Sequence, residues 1–159
     1  MSERQYWLMK SEPNEYSIDD LENNKNQTAK WTGIRNYEAR NIMRDRMKIG
    51  DGVFFYHSNI KKPEIAGTMN VSSKPYPDPT QFDPDSHYFD PKSTEENPRW
   101  MLVDVTFTQK FEPAIIRDQL KETGEFSEMA LFKRRRLSVQ PVTEEEWMKI
   151  HVIAGVDPV

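Results

Sequence analysis

The chain has 159 residues, no cysteine, six glycines and a formal charge of −4 from 22 basic and 26 acidic residues. A chain near 150 residues can bury a core without staples, and the missing thiols exclude disulfide frameworks, thiolate zinc sites, iron–sulfur ligation and cysteine nucleophiles. The acidic balance excludes a nonspecific DNA coat protein and no apolar run reaches the ~20 residues of a membrane span, so one soluble intracellular domain over 1–159 is expected.

The first predicted element is a strand at Tyr6–Lys10, ended by Ser11-Glu12-Pro13. A helix follows, with Ser17 as N-cap, Asp20 three residues on, and Tyr16 and Leu21 placed as a hydrophobic staple. The next helix is predicted from about Asn36 to Met47: Ala39, Ile42, Met43 and Met47 recur at core-facing spacing, while Arg40, Arg44 and Lys48 form a basic stripe. Gly50-Asp51-Gly52 turns the chain into Val53–Tyr56, a continuous apolar run typical of a strand buried on both faces, which stops at His57-Ser58-Asn59. A further strand spans Ile65–Ser72.

Six prolines between Pro75 and Pro98, three of them in Asp-Pro steps, define a long loop. Its aromatics Tyr76, Phe82, Tyr88 and Phe89 indicate that it packs on the body of the protein. Trp100–Thr108 alternates as a strand with Met101, Val103, Val105 and Phe107 on one face. Pro113 is read as opening a helix with Ile115, Ile116 and Leu120; Met129–Phe132 is a short apolar piece, and Leu137–Gln140 a strand. The last helix carries a Thr143/Glu146 capping box, a Val142/Trp147 staple and Gly155 at its end. Five or six strands among short helices, without βαβ alternation, predict an α+β fold built on a mixed sheet or small barrel.

Most catalytic signatures fail. There is no phosphate-binding glycine loop, dinucleotide fingerprint or nucleophile elbow, and His57, His87 and His151 fit no metalloprotease or deaminase spacing. Asp83-x-Asp85-x-His87 resembles a calcium loop superficially, but Tyr88 stands where glycine is needed. No cofactor and no metal are expected, and the chain is read as a non-enzyme.

A pocket for a planar base needs aromatic walls, hydrogen-bonding groups for the base edge and nearby cations. Trp31-Thr32-Gly33-Ile34-Arg35-Asn36-Tyr37 supplies all three kinds, although a tryptophan is equally a core residue and Asn36 equally a plain helix cap. His57-Ser58-Asn59 emerges at a strand end, where polar groups line clefts or simply make turns. Trp100 either closes such a pocket or packs under the proline loop. From Lys30 to Lys48 six cations face two acids, and Lys133-Arg134-Arg135-Arg136 is unbroken; the Arg40/Arg44/Lys48 stripe and the Lys133–Arg136 run could hold phosphates or be solvated faces.

The segments YWLMKSEPNEYSIDDL (Tyr6–Leu21), WTGIRNYEARNIMRDRMKIGDGVFFYHSN (Trp31–Asn59), YPDPTQFDPDSHYFDPKS (Tyr76–Ser93), Pro98–Trp100 and RLSVQPVTEEEW (Arg136–Trp147) resemble the EVE domain family nearly end to end. That resemblance implies a PUA-like mixed β-barrel of about five or six strands surrounded by short helices, related to the YTH domains that capture methylated adenine in RNA. It implies a noncatalytic reader of a modified, methylated base in RNA or DNA. Mapped onto this chain, the pocket residues are Trp31, Asn36, Tyr56, Ser58 and Asn59, with Ser11 and Trp100, and the phosphate or rim residues are Lys10, Arg35, Arg40, Arg134, Arg135 and Arg136. The alternatives are a sensor of a nucleotide metabolite and an accessory to a nucleic-acid-modifying enzyme. The compartment expected is the cytoplasm for a bacterial source and the nucleus for a eukaryotic one.

Overall fold

A strand with no polar alternation must be covered on both faces. In the computed structural model, which describes residues 3–159, the run at Val53–Tyr56 is the middle of β3 (Gly52–His57), and all six of its residues are buried. β1 (Tyr6–Ser11) runs parallel to it from Tyr6↔Gly52 to Ser11↔His57, and β4 (Glu64–Val71) pairs antiparallel on its other side. With β2 (Thr28–Lys30), β7 (Asp104–Ile116) and β8 (Val139–Val142), these make a six-stranded sheet in the order β2-β7-β4-β3-β1-β8. The sheet curls into a half-barrel. β5 (Tyr76–Pro77) and β6 (Met101–Leu102) form a separate two-stranded ladder.

The central strands feed two cores of opposite facing. Trp7, Met9, Val53, Phe55 and Val139 join Ile18 and Leu21 of α1 (Ile18–Asn23) and Ala39, Ile42 and Met43 of α2 (Tyr37–Asp45). Leu8, Phe54 and Tyr56 join Leu120 of α3 (Arg117–Thr123), Leu131 of α4 (Ala130–Lys133) and Trp147 and Ile150 of α5 (Glu144–Ala154). The Thr143/Glu146 capping box forms as expected, Ser17 caps α1 as expected and closes a full box with Asp20, and Gly155 ends α5 in the left-handed region. At Gly67 the β4 and β7 backbones approach so closely that a Cβ would lie 2.2 Å from the Gln109 carbonyl oxygen. Only glycine fits there. Among the described residues, no helix is long and apolar enough to cross a membrane.

Several expectations need correction. Pro113 opens no helix: β7 continues through it to Ile116, where Ile115 pairs with Ile65, and α3 begins only at Arg117. The Ile115-Ile116-Leu120 spacing, read as one helix, straddles a strand end and a helix. α2 stops at Asp45, so Lys48 lies beyond the helix and is no part of a helical stripe. The strand placed at Leu137–Gln140 is observed at Val139–Val142, and its Pro141 is accommodated because β8 is an edge of the sheet. Met101 belongs to the small ladder instead of the face shared by Val103 and Val105.

His151 sits in the second core, 1% exposed, against the Trp147 and Phe54 rings. Its Nδ1 lies 2.7 Å from the Trp147 carbonyl oxygen, while Nε2 is buried without a partner. Burial chiefly, with the Arg4 charge adding to it, holds its pKa below the ordinary 6.5. As pH falls through the value of the unfolded chain, the unfolded state binds this proton first, so the contribution is intact above about 6.5 and is lost below it. Chemical denaturation between pH 7.5 and 5 is expected to show the wild type losing more stability than His151→Gln, whose position cannot titrate.

Candidate functional site

Because β1 and β3 are parallel, their C-terminal ends emerge together, Lys10 beside Tyr56 and Ser11 beside His57. Beside these ends, which the Ser58 N–H still links to the Ser11 carbonyl oxygen at 2.9 Å, lies a cleft of about 800 Å³. One wall is the segment from Lys30 to Arg35 that leaves β2; the others come from Glu12–Tyr16, from Ser58 and Asn59, and from His87 and Tyr88 of the proline loop. Arg117 and Arg135 complete the lining.

Asp78 fixes the wall. This fully buried carboxylate accepts the Gly33 N–H at 2.8 Å and an Arg35 Nη1–H at 3.2 Å on one oxygen, and the Thr80 N–H and hydroxyl on the other, at 2.8 and 2.6 Å. Arg35 also donates from Nε and Nη2 to the Tyr88 carbonyl oxygen at 3.1 and 2.6 Å, so loop and wall are tied together. Gly33 has φ +89°, and a Cβ there would lie 2.7 Å from the Tyr88 ring. Glycine is required on both counts.

The floor is charged but constrained. The Lys10 ammonium donates to the Arg135 carbonyl oxygen at 2.8 Å and stands 5.8 Å from the Tyr56 ring centre; burial first, then the Arg117 charge, depress its pKa. Burial raises the Tyr56 phenol in turn. The Tyr88 phenol is raised by burial and then by the Glu15 and Glu12 carboxylates. Asn59, at φ +57°, donates its amide to Glu12 Oε1. Among the described residues Lys30 and Arg135 meet no carboxylate, and Arg117 meets Asp118 only at 3.7 Å. The described residues hold no cluster of three His, Cys, Asp or Glu side chains that could take a metal.

Of the residues singled out in the sequence, Trp31, Tyr56, Ser58, Asn59, Ser11, Lys10, Arg35 and Arg135 line this cleft. Trp31 is 6% exposed and stands edge-on to Phe55 at 5.3 Å, so it is both core and wall. Arg35, expected to meet phosphate, spends its guanidinium on the proline loop. Asn36 lies outside: its Oδ1 accepts the Ala39 N–H at 2.9 Å, which caps α2, and it borders a different groove with Arg134 and Arg136. Trp100 takes the packing alternative, its indole donating to Asp90 at 2.7 Å and its ring stacked 4.8 Å from Tyr37. Arg40 donates to the Arg99 carbonyl oxygen at 2.8 Å and covers Tyr37, away from the cleft. His57 is structural as well: Nδ1 is bonded to Glu64 at 2.9 Å and Nε2 accepts the Ile18 N–H at 3.1 Å.

Sequence reasoning passed over Tyr16, Lys30, Tyr88 and Arg117 as site residues. Tyr88 alone carried a signal, an aromatic in a loop too polar to need one. Replacing Asp78 by alanine leaves the Arg35 charge and the Gly33 N–H without their acceptor; the expected cost is about 3 kcal/mol in denaturant unfolding, toward the low end for a broken buried pair because Arg35 is partly exposed.

The model of the EVE domain matches residues 5–153. Thymocyte nuclear protein 1 of Mus musculus is 43% identical over 170 residues, spanning 96% of this chain and 75% of that protein. The Homo sapiens protein is 44% identical over 159 residues, spanning 89% and 70%. Among solved structures, human THYN1 protein in complex with 5-methylcytosine containing DNA superimposes with a TM-score of 0.90 at 41% identity, covering 97% of this chain and 99% of that one. A hypothetical protein from Leishmania major gives 0.92 at 47% identity and 96% coverage of each. A match of this extent, on a fold already fixed by its own packing, places the chain in the EVE domain family.

Proposed function

We propose that this chain is a noncatalytic module that binds DNA by taking one modified base, 5-methylcytosine, out of the stack and into the cleft beside Trp31. The observation that carries the reading is the composition of the cleft: fixed aromatic side chains share one opening of about 800 Å³ with Lys30 and Arg135, which meet no carboxylate among the described residues, and a protein 41% identical over nearly the whole chain has been solved with DNA containing that base. Stacking on an aromatic ring contributes about 1–3 kcal/mol per base, which offsets the few kcal/mol of unstacking. Cytosine presents an amino donor at N4, and the Glu12 and Glu15 carboxylates are acceptors of the right kind at the cleft wall. A eukaryotic source would place the activity in the nucleus, in line with the names of its relatives.

Burial of the 5-methyl group contributes about 0.8 kcal/mol, or about fourfold in affinity. Fluorescence anisotropy with matched duplexes, one carrying 5-methylcytosine, is expected to show a preference of about that size and a fall in affinity with salt. Trp31→Ala should weaken binding by roughly 5- to 150-fold, the stacking free energy just given, and Trp31→Phe, which keeps a ring, much less. Equal affinity of a folded Trp31→Ala variant would overturn the reading. Capture of the free nucleoside with no polymer binding would replace it by a metabolite sensor.

A further inference from the structure

Arg135 lines the cleft and also a second, shallower groove of about 350 Å³ that runs between the start of α2 and the basic run at Lys133–Arg136. The four cations of that run differ in their partners. Lys133 pairs with Glu128, and Arg134 makes a two-pronged contact with Glu38, Nη1 to Oε2 at 3.0 Å and Nη2 to Oε1 at 2.5 Å. Arg135 and Arg136 meet no carboxylate among the described residues. Both members of the Glu38–Arg134 pair are about half exposed, so the pair contributes little to folding. A pair of acceptor oxygens that a guanidinium can grip with two parallel N–H groups is nonetheless what a phosphate also offers, so Glu38 occupies the position that a phosphate would take.

We infer that the strand flanking the captured base leaves the cleft along this groove, held at its phosphates by Arg135 and Arg136, and that Glu38 limits its affinity by occupying Arg134. This rests on the base-capture reading and deepens it. Arg135, shared by the two openings, makes the path continuous, and four of the eight residues that line the groove are cations. Its residues set affinity and salt dependence; the cleft sets the preference for the methyl group.

The probe is a short duplex with a single 5-methylcytosine, titrated at several salt concentrations and compared with its unmethylated twin. Glu38→Gln removes the competing carboxylate from an exposed pair and should steepen the salt slope by about one and tighten binding by about five- to tenfold at 0.1 M salt, with the methyl preference unchanged. Arg136→Ala should make the slope shallower by about one, again without touching the methyl preference. In the Arg134→Ala background the gain from Glu38→Gln should vanish; a gain that persists there reflects net charge alone and overturns the inference. Unchanged slopes for Glu38→Gln and Arg136→Ala, with wild-type binding intact, would also overturn it and leave the base-capture reading standing. Failure of the wild type to bind the methylated duplex overturns both.

Discussion

Asp78 is taken wholly out of water, and a buried carboxylate survives only where donors converge on it. Here the donors are the Gly33 N–H, Arg35 and Thr80, and each draws a different piece of chain into place. The segment that follows Trp31 is pinned, the proline loop is folded down, and the Tyr88 ring is brought so close to Gly33 that a Cβ there would lie 2.7 Å from it. The sheet provides two parallel strand ends that open a cleft. Asp78 converts that opening into a walled one.

A chain with more acids than bases can hold a polyanion only if its cations are unevenly used. The structure uses them unevenly. Lys10, Arg35, Arg40 and Arg134 serve internal contacts, with carbonyl oxygens or carboxylates as acceptors. Lys30, Arg117, Arg135 and Arg136 remain near the openings, with one loose carboxylate contact, Arg117 to Asp118 at 3.7 Å, among the described residues. The basic residues that hold the architecture are thus largely a different set from those left near the openings, and what a sequence counts as positive charge overstates what a phosphate would meet.

The same division explains how much was legible beforehand. Strands β1, β3 and β4 and helices α1, α2 and α5 are written in local chemistry, in unbroken apolar runs, capping boxes and helical spacing, and they appear near their expected places. β2 is three residues of Thr-Ala-Lys, a polar edge held by ladder bonds to β7, and has no period to read. The second half of β7 was hidden because register shifts against β4 break its alternation and Pro113 imitates a helix start. For the site, Tyr56 and Ser58 stand at the end of a strand that the pattern marks and Trp31 stands in a polar and aromatic cluster just before a helix, whereas Arg117 comes to the cleft from the start of α3, remote in the chain. Asn36 and Trp100 were read as pocket residues because sequence shows the functional groups they carry, and not that Ala39 and Asp90 already use them.

The account turns on one event, the passage of a methylated base from the duplex into the cleft. NMR of a duplex whose 5-methylcytosine carries a ¹³C-labelled methyl group observes that event at the atom concerned. On saturation with the protein, the account predicts a large upfield displacement of the methyl proton signal by the surrounding rings, through-space contacts to Trp31, and loss of the imino proton of the opposite guanine. A methyl signal that stays at its free-duplex position, with that imino proton retained at full binding, would show that the base remains in the stack and would contradict it.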